Sequence, residues 1–444
     1  MTDTGRLPFP PEIWLEICTH LPISDIALLN QTNKALRALS TSALYRKIPG
    51  DLEVEASRLL CRTLLENPEL VQHVRHLALH GARLSEDESI HVDAVKLLSL
   101  SVLQQNLETF EFIYTSETHG GWFQSEDVLK DNIIWETLER GTYPRLEAVC
   151  VREFPYGSTE DQNSLYKLTH WKRVSVTTQE FQLEDADGEP DNDPYTIGLF
   201  SWLADNRSLC YLDLELKLDE GPATVDSCSV TSLLNKAYWP DLVSLSISGA
   251  ECHDMMNGAI PDYGSSPSVH KFLQSHPGIR NLKIGICSGN DFRGCQTIPF
   301  AALPPGVLPN LQYFTGTRNH VEDLARMYGK HDKLKHIRLL GDFVAMSWPD
   351  GCDPPQDTFT KALEAFPNLL SLDLNLDYPT GLDPDYLFFE TLIDLCPHLR
   401  TLILPDIYHQ DLAKLKHINR VEGIEECQDD YPKYYFLVSL KVTT

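Results

Sequence analysis

A six-residue phrase returns along this chain and limits what it can fold into: an apolar residue, two variable ones, an apolar residue, one variable, another apolar. It reads VRHLAL from Val74, LETFEF from Leu107, LEAVCV from Leu146, LCYLDL from Leu209, LVSLSI from Leu242, IRNLKI from Ile279, LKHIRL from Leu334, LLSLDL from Leu369 and LRTLIL from Leu399. WKRVSV from Trp171 and LQYFTG from Leu311 are weaker copies. The last three positions alternate as a short, half-buried strand does. Proline stands two residues before the phrase at Pro144, Pro240, Pro277, Pro309, Pro367 and Pro397, and amphipathic stretches such as TKALEAFP and TLIDLCP lead into it. Proline cannot continue a helix and biases its predecessor toward extended backbone. Each unit therefore predicts a helix, a proline stop and a strand.

One such unit cannot bury its own apolar side, whereas stacked neighbours can. The fold class expected is α/β, with helix–strand repeats forming a parallel sheet. A doubly wound α/β domain also alternates helix and strand and is the competing architecture. Its strands normally read as continuous apolar runs, which these do not. Insertions break the rhythm near 184–193, 252–267, 288–305 and 348–356, the first of them the acidic EDADGEPDND. Loops of that length are disordered or used in binding.

The first fifty residues follow another pattern. Pro11 suits a first helical position. Ile13, Ile17 and Leu21 recur every four residues, with Trp14 and Cys18 beside them, as on one face of a helix. Ser24 predicts the N-cap of a second helix, with Ile23 and Leu28 placed for a hydrophobic staple. A third helix carries Leu36, Leu39 and Leu44. Three helices in roughly forty residues make a core too small to stand alone, so the expected unit leaves an apolar face for another body to cover.

The run FPPEIWLEICTHLPISDIALLNQTNKALRALSTSALYRKI, Phe9 to Ile48, resembles an F-box. The matches are Pro10-Pro11-Glu12-Ile13, Ile17, Leu21-Pro22, Asp25-Ile26, Leu28 and Leu44-Tyr45. Phe9 stands where leucine is usual, Thr32 where valine is common, and Tyr45 where many members have tryptophan. The stretch from about Val54 to Leu440 is similar to the irregular leucine-rich repeat body of F-box proteins, without the asparagine ladder that usually follows the strand. The resemblance implies an F-box over 1–50 and a leucine-rich-repeat-like solenoid of about eleven repeats over 51–444. It also implies docking of a Skp-type adaptor, held in turn by a cullin scaffold, through Phe9, Pro10, Ile13, Ile17, Leu21, Ile26 and Leu28. The function implied is that of a substrate-recognition subunit of an SCF-type cullin ubiquitin ligase, non-catalytic itself and serving ubiquitin-dependent degradation. Two alternatives stay open: a helical cap closing the repeat body, and an F-box and repeat scaffold working outside a ligase.

Charge narrows the partners. Acidic residues number 64 and basic residues 37, a net charge of −27. Such a field disfavours nucleic acid and anionic membrane, and the client expected is a protein. Asp213, Glu215, Asp373 and Asn375 lie between the apolar positions and are candidate contacts for a basic client segment; a generic solvated face is the competing reading. The eleven scattered cysteines form no CxxC pair, as in a cytosolic or nuclear chain with free thiols. No signal peptide is visible at the amino terminus. No Walker loop, GxGxxG, GxSxG or HExxH occurs, so no catalytic constellation, cofactor or metal is expected. His73, His76 and His80 straddle an expected strand and read as packing or surface histidines.

Overall fold

The computed structural model describes residues 9–32, 34–50, 54–81, 88–114, 125–154, 164–178, 195–216, 233–248, 268–284, 300, 303–340, 356–374, 386–405, 421–427 and 435–440. The chain divides into two compact units, Met1–Gln179 and Glu180–Thr444. The insertions at 184–193 and 252–267 lie outside the described residues. Those at 288–305 and 348–356 are described only at their carboxy-terminal ends.

The first unit opens with helices α1 (Pro11–His20), α2 (Ile23–Thr32) and α3 (Lys34–Leu44). Strand β1 (Lys47–Ile48) follows, then α4 (Val54–Glu66), α5 (Pro68–Val71), β2 (His76–His80), α6 (Glu88–Leu98), α7 (Ser101–Asn106), β3 (Thr109–Ile113), α8 (Ser125–Arg140), β4 (Ala148–Phe154) and β5 (Arg173–Thr178). Strands β1 to β5 pair in parallel, in chain order. The second unit contains α9 (Tyr195–Asp205), β6 (Tyr211–Glu215), β7 (Ser244–Ser248), α10 (Ser268–Ser275), β8 (Asn281–Ile284), β9 (Tyr313–Gly316) and α11 (Arg318–Tyr328). It continues with β10 (His336–Leu339), α12 (Gln356–Leu363), β11 (Ser371–Asp373), α13 (Tyr386–Leu395), β12 (Thr401–Pro405), β13 (Val421–Cys427) and β14 (Tyr435–Leu440). Strands β6 to β12 are parallel and again in chain order. A doubly wound sheet reverses its strand order at a switch point; within each unit these parallel strands do not. The fold is α/β and solenoid-like.

All eleven phrases are strands, and each strand begins at the third phrase position. The register follows the phrase: His76 pairs with Thr109, Thr109 with Ala148, and Ala148 with Arg173; in the second unit Tyr211 pairs with Ser244, and Ser244 with Asn281. A repeated hydrogen bond sets it. The carbonyl at position two accepts the N–H groups of positions two and three of the next strand, as Arg280 O does from Gln312 at 2.8 Å and Tyr313 at 3.0 Å. Positions one, four and six form the apolar layer. Leu334, Ile337 and Leu339 are buried, as are Leu369, Leu372 and Leu374. Buried Phe272, Leu324, Leu363 and Leu392 line the helices. Helix α11 packs beside α12, and α12 beside α13.

The prolines do more than stop helices. At all six positions the residue before proline accepts a hydrogen bond at its carbonyl from the first phrase residue, as from Leu369 N–H to Phe366 O at 3.1 Å. Proline is thereby the second residue of a β-turn, where its fixed φ is already correct. In the LKHIRL unit, which lacks this proline, His331 substitutes its ring: Nδ1 accepts from Leu334 N–H at 3.1 Å.

Three features differ from expectation. Ser24 is not the N-cap of α2, because Ile23 is already helical and the Pro22 carbonyl accepts from Asp25 at 3.0 Å and Ile26 at 3.1 Å. Ile23 and Leu28 are 52% and 62% exposed and form no closed staple. Beyond β12 the chain closes with an antiparallel pair, β14 beside β12 and β13 beside β14, in place of another helix–strand repeat. Ahead of residue 50, Lys47 and Ile48 pair in register with His76 and Leu77.

Candidate functional site

Helix α1 starts where Pro10 turns the chain, its carbonyl accepting from Ile13 and Trp14. Phe9 meets Trp14 edge-on at 6.1 Å between ring centres. Phe9 is 51% exposed and Ile13 47% exposed; Pro10 is exposed, and Ile17 and Leu21 are half-buried. On α2, Leu28 is exposed, whereas Ile26 is 4% exposed and belongs with Cys18 to the interior. Helices α2 and α3 are tied by Asn30 Nδ2 donating to Thr41 Oγ1 at 3.0 Å and Arg37 Nε donating to the Asn30 carbonyl at 3.1 Å. Thr32 donates its hydroxyl to the Leu29 carbonyl at 2.8 Å on an exposed turn, so its polar group costs no burial. Of the seven residues named for adaptor docking, six reach the surface at least in part and Ile26 holds the helices together.

The second surface is the sheet face at phrase positions three and five. In the first unit Glu111 is buried there: His76 Nε2 lies 3.0 Å from one carboxylate oxygen, and Arg152 Nε donates to the other at 2.7 Å. The hydrogen bond with His76 and the charge of Arg152 hold its pKa below the ordinary value against the opposing effect of burial. This gives His76 a carboxylate hydrogen-bond partner on the neighbouring strand. His73, just ahead of the strand, has its pKa lowered by burial and by Arg75. Among the described residues no group of three His, Cys, Asp or Glu side chains could hold a metal ion.

In the second unit Asp213 and Glu215 are exposed on β6. Asp373 is 6% exposed on β11, with Oδ2 3.3 Å from Arg338 Nε on β10. Asn375 lies outside the described residues. Between β6 and β11 stand residues that the sequence reading passed over: Lys283 on β8, the exposed Tyr313 on β9, and His336 on β10. The Tyr313 and His336 rings stack at 4.3 Å with an interplanar angle of 1°. The missed signal was the third and fifth positions of every phrase, read together rather than two phrases at a time.

No family model matches this chain, and no characterised protein matches it in sequence. Among the described residues no helix is long and apolar enough to cross a membrane.

Proposed function

We propose that this chain is a substrate-recognition subunit of an SCF-type cullin ubiquitin ligase, its first helices an F-box that docks a Skp-type adaptor and its leucine-rich-repeat-like body the holder of a client protein. The supporting observation is the apolar surface of α1 and α2: Phe9, Ile13, Ile23 and Leu28 are open to solvent although burial would favour each by about 1.5–3 kcal/mol. Exposed large apolar side chains grouped on one small unit are characteristic of a surface that a partner covers. The subunit performs no bond chemistry. It raises the local concentration of a client lysine near the ubiquitin-carrying enzyme, which is catalysis by proximity.

Co-purification of the full chain with the adaptor and cullin tests this. Wild type captures both; Ile13→Asp and Leu28→Asp remain folded and capture neither. Equal capture by wild type and variants, or none by the wild type, removes the docking assignment. Capture of adaptor without cullin favours the alternative of an interaction scaffold outside a ligase.

A further inference from the structure

Five cations stand at or just ahead of β8 to β12: Lys283 and Arg338 on the face at phrase positions three and five, beside the one carboxylate Asp373, and Arg280, Lys335 and Arg400 at position two, immediately before their strands. This occurs in a chain whose net charge is −27. Arg280, Lys335 and Arg400 are exposed at the strand entries. Lys283 and Arg338 both pair in register with Thr315, one from each side. Adjacent strands lie about 4.8 Å apart, so the two backbone positions are roughly 10 Å apart with a hydroxyl side chain between. Arg338 shares its charge with Asp373, whereas Lys283 has no carboxylate within 4 Å among the described residues. A second observation comes from the same strands: Tyr313 is 46% exposed and its ring stacks face to face on that of His336, a rigid aromatic pair beside the cations.

We propose that the face of β8–β12 docks an extended, carboxylate-rich segment of a partner protein, with one carboxylate over Thr315 between Lys283 and Arg338 and the neighbouring chain packing against the exposed Tyr313 of the stacked Tyr313–His336 pair. This rests on the receptor reading above and states the chemical class of its client. It differs from the basic client expected from Asp213, Glu215, Asp373 and Asn375: Asp373 already faces Arg338, and the cations lie on strands away from the exposed Asp213 and Glu215 of β6. Charge complementarity selects the occupant. A long polyanion meets the net negative field of the whole chain, whereas a short acidic segment responds to charges within a Debye length of about 8 Å.

The test is fluorescence anisotropy on the full chain at low salt, with a labelled peptide alternating glutamate and serine and the same peptide with lysine for each glutamate. The glutamate peptide binds about tenfold more tightly than the lysine peptide. Lys283→Glu combined with Lys335→Glu removes that preference, and Lys283→Arg keeps it; thermal melts verify that each variant is folded. Equal binding of the two peptides, no binding of the glutamate peptide, or an unchanged preference in the double variant overturns the proposal. The double variant still captures the adaptor and Ile13→Asp still binds the peptide, so the two assignments fail separately.

Discussion

The main-chain N–H of Trp239 donates to Nε2 of His276 across 3.0 Å, and the same ring turns its Nδ1–H toward the Phe272 carbonyl at 2.7 Å. The imidazole must be neutral to serve both. Burial, partly offset by the bond to Phe272, lowers its pKa below the ordinary value. As pH falls below about 6.5 the unfolded chain takes up this proton before the folded one does, and stability declines until the lowered folded pKa is passed. The protection factor of the Trp239 amide, the exchange rate of an unfolded amide at the same pH relative to its own, therefore falls between neutral and mildly acidic pH, and His276→Gln flattens that change.

Glu111 titrates with the same sign in a more acidic window. Its carboxylate is favoured in the folded state, so its stabilisation is present above the unfolded value of about 4.3 and is lost as pH falls through the lowered folded pKa. Glu111→Gln removes the negative charge that lies 2.7 Å from Arg152 Nε and 3.0 Å from His76 Nε2. The substitution costs about 1–3 kcal/mol at neutral pH and much less in strong acid. Denaturant unfolding of wild type and variant at the two extremes measures the difference.

Neighbouring positions on α2 respond differently to truncation. Ile26→Ala opens a cavity in a small interior and costs about 2–4 kcal/mol. Leu28→Ala changes stability by no more than about 0.5 kcal/mol, yet weakens adaptor capture if the proposed docking is correct. Amide exchange over residues 11–44 reads the first effect, and affinity for the adaptor the second.

Pro367→Ala keeps the turn hydrogen bond between Leu369 and Phe366 and loses the restriction that proline places on the unfolded chain. A loss of about 0.4–1 kcal/mol is expected, read from the urea midpoint. A gain in stability, or a loss of several kcal/mol, would contradict the turn assignment.

The strands were legible because burial leaves a mark on every rung. Leu212 and Leu214 are buried, and Tyr211, Asp213 and Glu215 are exposed. The proline signal was legible too, although its full role needed the Leu369–Phe366 contact. Less could be read where partners are far apart in sequence. Arg338 and Asp373 are separated by 35 residues, and only the register of β10 with β11 brings them together. Of the closing strands, Val421–Cys427 lacks the phrase and Tyr435–Leu440, YFLVSL, fits it, so spacing alone did not announce an antiparallel end. On α2, Ile26 and Leu28 are similar aliphatic residues two apart, and which one packs inward depends on where α3 lies.

Because a position-two carbonyl accepts from both amides at the head of its successor, alignment between adjacent rungs is keyed at one point, at the entry to each strand. The span bridging two keys can then be lengthened, shortened or exchanged without shifting the pattern on either side. That separation of scaffold from decoration lets the same framework carry differently cut exits, and it marks the connectors as the natural place to graft new recognition.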